Sequence, residues 1–203
     1  MTEKTFDFQP GDIILIKTDK KLKWRLFGWI VKGFWHCTFY YDKTKRGVPL
    51  CIESSTKGTQ ISTMKKRGEE VEVYRLDHRY AEAFNQAILK AAEELVDDDF
   101  AFFDYFVIFK LILRALRIPS RFISKYLPFL SCSDLLQVCY ERAPKYLSAD
   151  LIRDCYGLMA EYLGEDLKDV FGKEVLVHFP PYIMLPADFK KIPVLKKVWE
   201  GRI

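Results

Sequence analysis

The stretch FLSCSDLLQVCY, residues 129–140, places a cysteine between two serines at the start of a predicted helix. Ser131 is a favourable N-cap residue, and Asp134 falls in the first turn. Unpaired N–H groups and the positive end of the helix dipole stabilise an anion at such a position, which lowers the pKa of a cysteine. Cys132 is therefore a candidate nucleophile, and the alternative is a small apolar residue of the core.

A nucleophilic cysteine requires a base, and the chain has three histidines. His36 opens a predicted strand, His78 lies at a helix start, and His178 lies in a late strand candidate. An imidazole base must also be oriented by a third group. Glu53 lies on the strand that follows the His36 strand, where a carboxylate could meet an imidazole. The residue types thus allow a cysteine–histidine–acid site, with a solvent-exposed edge glutamate as the alternative for Glu53, and the choice of histidine stays open.

The elements that must position these residues begin with about five short strands rich in β-branched and aromatic residues. They cover residues 12–17, 37–42, 50–55, 59–63 and 71–76. Turn signals separate them, which predicts an antiparallel sheet or a small barrel. Within residues 50–55, alternation places Cys51 and Glu53 on one face and Ile52 on the other.

The second half of the chain changes to helical periodicity. Helices are predicted over 78–96, 101–117, from near Ser131, and over 148–163. The tail, residues 173–189, holds a strand candidate and then a proline-rich loop. Strands followed by helices predict an α+β fold, and the length predicts a single domain over residues 1–203.

Composition narrows the function classes. The net charge of +4 is too weak to indicate nucleic-acid binding, and we expect no nucleic-acid partner. The five cysteines show no paired spacing, so neither a disulfide framework nor a structural zinc site is predicted. The polar, acidic start does not resemble a signal peptide. We therefore expect a reducing, cytoplasmic location.

Two hydrophobic segments bear on membrane contact. Residues 100–118 carry Lys110, Arg114 and Arg117 on one helical face, which predicts an amphipathic helix packed on the core rather than a membrane span. Residues 21–35 mix three tryptophans with basic residues. That segment predicts either a helix packed on the sheet or an apolar lip that touches lipid.

Other chemistries lack their motifs. The chain has neither the G-x-S-x-G serine motif nor a G-x-x-x-x-G-K phosphate loop. His36, Cys37 and Cys51 have the side chains of metal ligands, but strand alternation points His36 and Cys37 to opposite faces. We expect no metal and no cofactor.

Several motifs occur in a characteristic order: GDIILIK, HCTFYYD, IESSTKGTQIS, FDYF, CSDLLQVCY and LPADF. Together they resemble the YiiX-like group of circularly permuted NlpC-type papain-like proteins, to which lecithin:retinol acyltransferase is distantly related. The resemblance implies that His36 is the base, Glu53 its orienting residue and Cys132 the nucleophile. It also implies that Tyr105 lies near the substrate. Cys37 departs from the family, which usually has a small apolar residue there.

The resemblance implies a permuted papain-like fold and a cysteine hydrolase that cleaves peptide-like or N-acyl amides through an acyl-thioester. A lipid acyl hydrolase or acyltransferase is the nearest alternative, because of the aromatic segment 21–35. A non-catalytic binding module on the same fold is the alternative from another class. The expected partner is a small peptide-like, N-acyl or lipid substrate, with peripheral membrane contact through residues 21–35 as a further option.

Overall fold

A six-stranded antiparallel sheet organises the part of the chain that the computed structural model describes. The described residues are 6–17, 33–55, 58–64, 69–77, 80–96, 132–148, 150–151, 186–192 and 194–203. The strands are β1 (Ile13–Lys17), β2 (Phe34–Lys43), β3 (Pro49–Ser55), β4 (Gly58–Thr63), β5 (Glu70–Leu76) and β6 (Leu195–Arg202). Their order is β4-β3-β2-β1-β5-β6, so β1 lies between the β2–β3–β4 meander and the β5–β6 pair.

Two helices pack on this sheet: α1 (Ala81–Glu93) and α2 (Cys132–Arg142). Short 3-10 helices cover Ala143–Tyr146 and Pro186–Lys191. The α+β prediction is therefore confirmed. The sequence predicted either an antiparallel sheet or a small barrel. The described strands form an open antiparallel sheet with β4 and β6 at its edges. Among the described helices, none has the length and hydrophobicity that crossing a membrane requires.

The strand predictions in the first half are confirmed to within a few residues, and helix α1 replaces the longer helix predicted over 78–96. Strand β6 was missed. It is an edge strand whose side chains are mostly exposed, so it lacks the alternating apolar pattern by which strands are recognised. Its pairing with β5, from Glu70–Arg202 to Leu76–Leu195, is what makes it a strand.

Several predictions fall outside the described residues. They concern most of segment 21–35, the helix over 101–117 with Tyr105, nearly all of the helix over 148–163, the late strand candidate, and His78 and His178.

The two faces of the sheet carry two separate hydrophobic clusters. The helical face buries Leu15, Phe39 and Ile52 against α1 and α2. The opposite face buries Ile16, Tyr40, Cys51 and other residues beneath aromatic side chains, which are Phe6, Phe8 and Trp199. Cys51 and Ile52 thus lie on opposite faces, as alternation predicted, and the sheet is buried on both sides.

The GDI motif fixes the start of β1. Gly11 has φ +89°, and a Cβ there would lie 2.6 Å from Cγ of Asn85 on α1, so only glycine fits without strain. Asp12 is fully buried and accepts two hydrogen bonds from the Arg75 guanidinium, at 2.7 and 2.8 Å. The motif is therefore explained by packing: it anchors β1 between α1 and β5.

Candidate functional site

His36 and Glu53 meet on the neighbouring strands β2 and β3. The regular ladder between these strands ends at the Phe39–Ile52 pair, beyond which the Thr38 hydroxyl donates to the Ile52 carbonyl at 2.7 Å. His36 Nε2 lies 2.9 Å from Oε2 of Glu53. The carboxylate accepts the ring N–H, which fixes the orientation of the imidazole.

A strand irregularity precedes His36. The register of β1 and β2 pairs Ile16 with His36 but Lys17 with Phe34, so Trp35 is an extra residue on β2. Such a bulge bends and twists the strand that carries it, and it changes the direction of nearby side chains. His36 is the first residue after this bulge and is 6% exposed.

Glu53 is held in its charged form by its neighbours. Burial alone would raise its pKa, but hydrogen bonds from His36 and Ser62, together with the positive charge of His36, keep the pKa below its ordinary value. The Ser62 hydroxyl donates to Oε1 at 2.5 Å. Each carboxylate oxygen thus has a donor from a different side chain.

Cys132 is the first residue of α2 and is 4% exposed. Its pKa is lowered well below the ordinary value, mainly by a hydrogen bond from the Cys37 thiol, against the opposing effect of burial. The positive charge of His36 and a hydrogen bond with its ring lower the pKa further, and so does the backbone N–H of Cys37. The imidazole of His36 therefore favours the thiolate form of Cys132.

The charge on Cys132 acts back on His36. Burial would lower the pKa of His36, but the Cys132 thiolate and the Glu53 carboxylate outweigh burial and raise it to about 10. The shifts of both pKa values thus favour an ion pair between Cys132 and His36 beside the Glu53 carboxylate. Burial strengthens each of these charge interactions, because little water is present to screen them.

The other described cysteines behave differently. Burial raises the pKa of Cys51 to about 12, and burial raises the pKa of Cys139 further still. Both therefore remain protonated residues of the core, as their apolar surroundings predicted.

The structure brings together Cys132, His36 and Glu53. Tyr105 is outside the described residues, so its predicted place near the substrate is not located. The sequence did not predict two further residues of the site, Ser62 and Cys37. Ser62 could have been found from the β3–β4 hairpin, which pairs Cys51 with Ser62 and Glu53 with Gln60. Cys37 was noticed only as a departure from the family.

Within the described ranges, no group of three or more His, Cys, Asp or Glu side chains is arranged to hold a metal ion. Cys37 belongs to the helical-face cluster, while His36 pairs with Ile16 of the opposite-face cluster.

Comparison with known proteins places the fold. No family model matches the chain, and no curated protein matches it either. Among solved structures, the chain is similar to one described as metalloprotein yiiX from Escherichia coli O157:H7. The TM-score is 0.54 and the sequence identity 14%, and the alignment covers 96% of this chain and 98% of the neighbour. The chain therefore has a YiiX-like fold, and at this identity the likeness concerns the fold alone.

Proposed function

We propose that this protein is a cysteine hydrolase that attacks an amide carbonyl through a Cys132–His36–Glu53 triad. The observation that carries the proposal is the His36–Glu53 pair, with 2.9 Å between Nε2 and the carboxylate, on the two strands against which helix α2 packs, and α2 begins at Cys132. A lowered thiol pKa at a helix N-terminus beside an oriented imidazole is the arrangement that activates a nucleophilic cysteine.

The proposed reaction begins with the proton already on His36. Because Nε2 donates to Glu53, Nδ1 is the nitrogen that exchanges a proton with the Cys132 sulfur. The thiolate attacks the carbonyl carbon, and the backbone N–H of Cys132 at the start of α2 stabilises the developing oxyanion. His36 then protonates the leaving amine, which departs and leaves an acyl-thioester. His36, now neutral, deprotonates a water molecule, and the resulting hydroxide attacks the thioester. The carboxylic acid leaves, and the Cys132 thiolate and the protonated His36 are regenerated.

The substrate class follows from the family resemblance together with the YiiX-like fold. We propose a permuted papain-like, NlpC-type domain acting on peptide-like or N-acyl amides. The proposed reaction uses only side chains of this protein, so we expect hydrolysis to survive removal of divalent metals by a chelator. The similar Escherichia coli protein is described as a metalloprotein, which makes that control necessary.

Two alternatives are kept. The aromatic and basic residues of segment 21–35 favour a lipid acyl substrate reached at a membrane surface. A non-catalytic binding module would retain the fold without turnover. The thiolate–imidazolium pair favours the hydrolase over the binding module, because holding a buried thiolate has a desolvation cost that binding alone does not require.

The test combines labelling with turnover. Iodoacetamide near neutral pH should modify Cys132 before Cys139, because only Cys132 is ionised there, and peptide mapping identifies the labelled residue. An acyl-amide probe should leave an acyl group on Cys132 that hydroxylamine removes. Substitution His36→Ala should abolish both reactions, whereas His178→Ala should leave them mostly intact. Equal reactivity of all cysteines only after unfolding would refute the nucleophile.

The lipid alternative has its own readout. Vesicles containing anionic lipid should bind the protein through Trp24 and Trp29 if segment 21–35 is a lipid-contacting lip, with a blue shift of tryptophan emission that weakens as salt rises. Hydrolysis of soluble amides without vesicle binding supports the amide substrate. Turnover that requires vesicles and both tryptophans would put the lipid acyl substrate first.

A further inference from the structure

Thr38 lies beside both residues of the proposed base and acid in the sheet. The pairing of β2 with β1 is regular from His36 to Thr38, so these two side chains project from the same face of β2. The pairing of β2 with β3, continued by one residue beyond its last regular pair, sets Thr38 opposite Glu53. His36 and Glu53 are therefore diagonal neighbours on two strands, and Thr38 completes the group.

A diagonal contact depends on the spacing of the two strands. Diagonal neighbours in an antiparallel pair are about 7–8 Å apart, which only long or aromatic side chains can bridge. His36 Nε2 and Glu53 Oε2 bridge this gap with 2.9 Å between them. Because a hydrogen bond weakens beyond about 3.2 Å, a small separation of β2 from β3 would break the contact. The pair therefore needs the strands to be held together where it forms.

The Thr38 hydroxyl ties the strands at this point. It donates to the carbonyl of Ile52 at 2.7 Å, and this carbonyl belongs to the peptide group that joins Ile52 to Glu53. The regular ladder of β2 and β3 ends at the Phe39–Ile52 pair, so the hydroxyl continues the connection just beyond it. Thr38 is 3% exposed. Little water competes for the bond, and a hydrogen bond is stronger in such a low-dielectric interior.

We propose that Thr38 is a positioning residue for the His36–Glu53 pair: its hydroxyl fixes the backbone of β3 at Glu53 relative to β2, which keeps the carboxylate at hydrogen-bond distance from the imidazole. The proposal rests on the proposed function only in taking His36 as the base and Glu53 as its orienting acid. In this role Thr38 neither binds substrate nor exchanges a proton. Ser62 holds the other carboxylate oxygen from β4, whereas Thr38 acts on the backbone that carries the side chain.

The test compares Thr38→Val with Thr38→Ser in the full-length protein. Valine is close to threonine in shape but has no donor, whereas serine keeps the donor and loses a methyl group. The readout is the NMR signal of the proton on His36 Nε2, assigned by its absence in His36→Gln. Thr38→Val should speed exchange of this proton with water about tenfold, because the carboxylate holds it less well. Thr38→Ser should stay near the wild type.

The pKa of His36 is the second readout. Thr38→Val should lower it by about half a unit, less than removal of the carboxylate does, because the charge of Glu53 remains nearby. When Glu53→Ala is already present, Thr38→Val should change the pKa of His36 no further, because Thr38 acts through the carboxylate. A merely structural role of the hydroxyl predicts the same change with and without Glu53.

Thr59→Val is the matched control, because Thr59 is another buried threonine of the same sheet, 4% exposed. It lies on β4 and pairs with Ser54 of β3 rather than with β2. Thr59→Val should leave the His36 proton signal unchanged, even where urea unfolding shows that it destabilises the fold as much as Thr38→Val does.

An unchanged His36 signal in folded Thr38→Val would overturn the proposal, as would an equal change in Thr59→Val. If Thr38→Val does not fold, Thr38→Ala is compared with Thr38→Ser, since these two variants differ by one hydroxyl. The same tenfold difference in exchange is then expected between them, and equal exchange in both would refute the role of the hydroxyl.

Failure of the proposal and failure of the proposed function give different results. A His36 signal that depends on Thr38, in a protein that hydrolyses no amide, removes the hydrolase and leaves the role of Thr38 in place. Amide turnover that requires His36 and Glu53, with a His36 signal indifferent to Thr38, does the reverse.

Discussion

Substitution of Glu53 by glutamine isolates the charge of the carboxylate from its shape. The glutamine oxygen can still accept the N–H of His36 Nε2, now 2.9 Å from the carboxylate. The negative charge is lost. Because Glu53 is one of the influences that raise the pKa of His36 to about 10, its neutralisation should lower that pKa.

The magnitude follows from the strength of a charge-assisted contact. A hydrogen bond to a charged group contributes about 1.5–3 kcal/mol, and one pKa unit corresponds to about 1.4 kcal/mol. The Glu53 side chain is 25% exposed, so solvent screens part of its charge and the lower end of that range applies. The pKa of His36 should fall by about one unit. A group whose pKa is raised loses its proton as the pH rises, so the imidazolium form should disappear at lower pH in Glu53→Gln.

The assay is an NMR titration of the imidazole signals, with the His36 signal identified by its absence in His36→Gln. Ser62→Ala is the control, because it removes a donor from Glu53 but leaves the carboxylate charged. In that variant the pKa of His36 should stay unchanged or rise slightly. An unchanged His36 titration in Glu53→Gln would refute the charge coupling between the two residues. A fall of equal size in both variants would assign the effect to packing.

Two further predictions concern the scaffold. An alanine at a positive φ costs roughly 1–2 kcal/mol of folding free energy. Gly11→Ala should cost clearly more, because its Cβ would also lie 2.6 Å from Asn85. Gly47→Ala is the control, because no atom lies within 4 Å of its Cβ and only the cost of the positive φ applies. Urea unfolding compares the two variants, and equal losses would contradict the steric argument. Arg75→Met should cost about 3 kcal/mol, because it leaves the buried Asp12 carboxylate without its cation. Thermal unfolding should show a smaller loss when Asp12→Asn is added, and an additive loss would count against the ion pair.

Much of the frame of the site was determined locally. The period-two pattern of β2 and β3, and the turn between them, is enough to predict that His36 and Glu53 lie on neighbouring strands. The serine and aspartate around Cys132 mark the start of a helix. These features depend on residues close together in the chain, and the structure has both strands and a helix beginning at Cys132. The YiiX-like fold was likewise anticipated from ordered motifs.

Other features depend on contacts between distant segments. Strand β6 exists through its pairing with β5, since its own charged sequence has no buried alternation. The lowered pKa of Cys132 depends on residues of β2, because a helix start alone does not supply the imidazole of His36. The sequence presented Cys37 and Cys132 as two isolated thiols. Tertiary structure distinguishes them: burial raises the pKa of Cys37, whereas the pKa of Cys132 is lowered, with the charge of His36 among the causes.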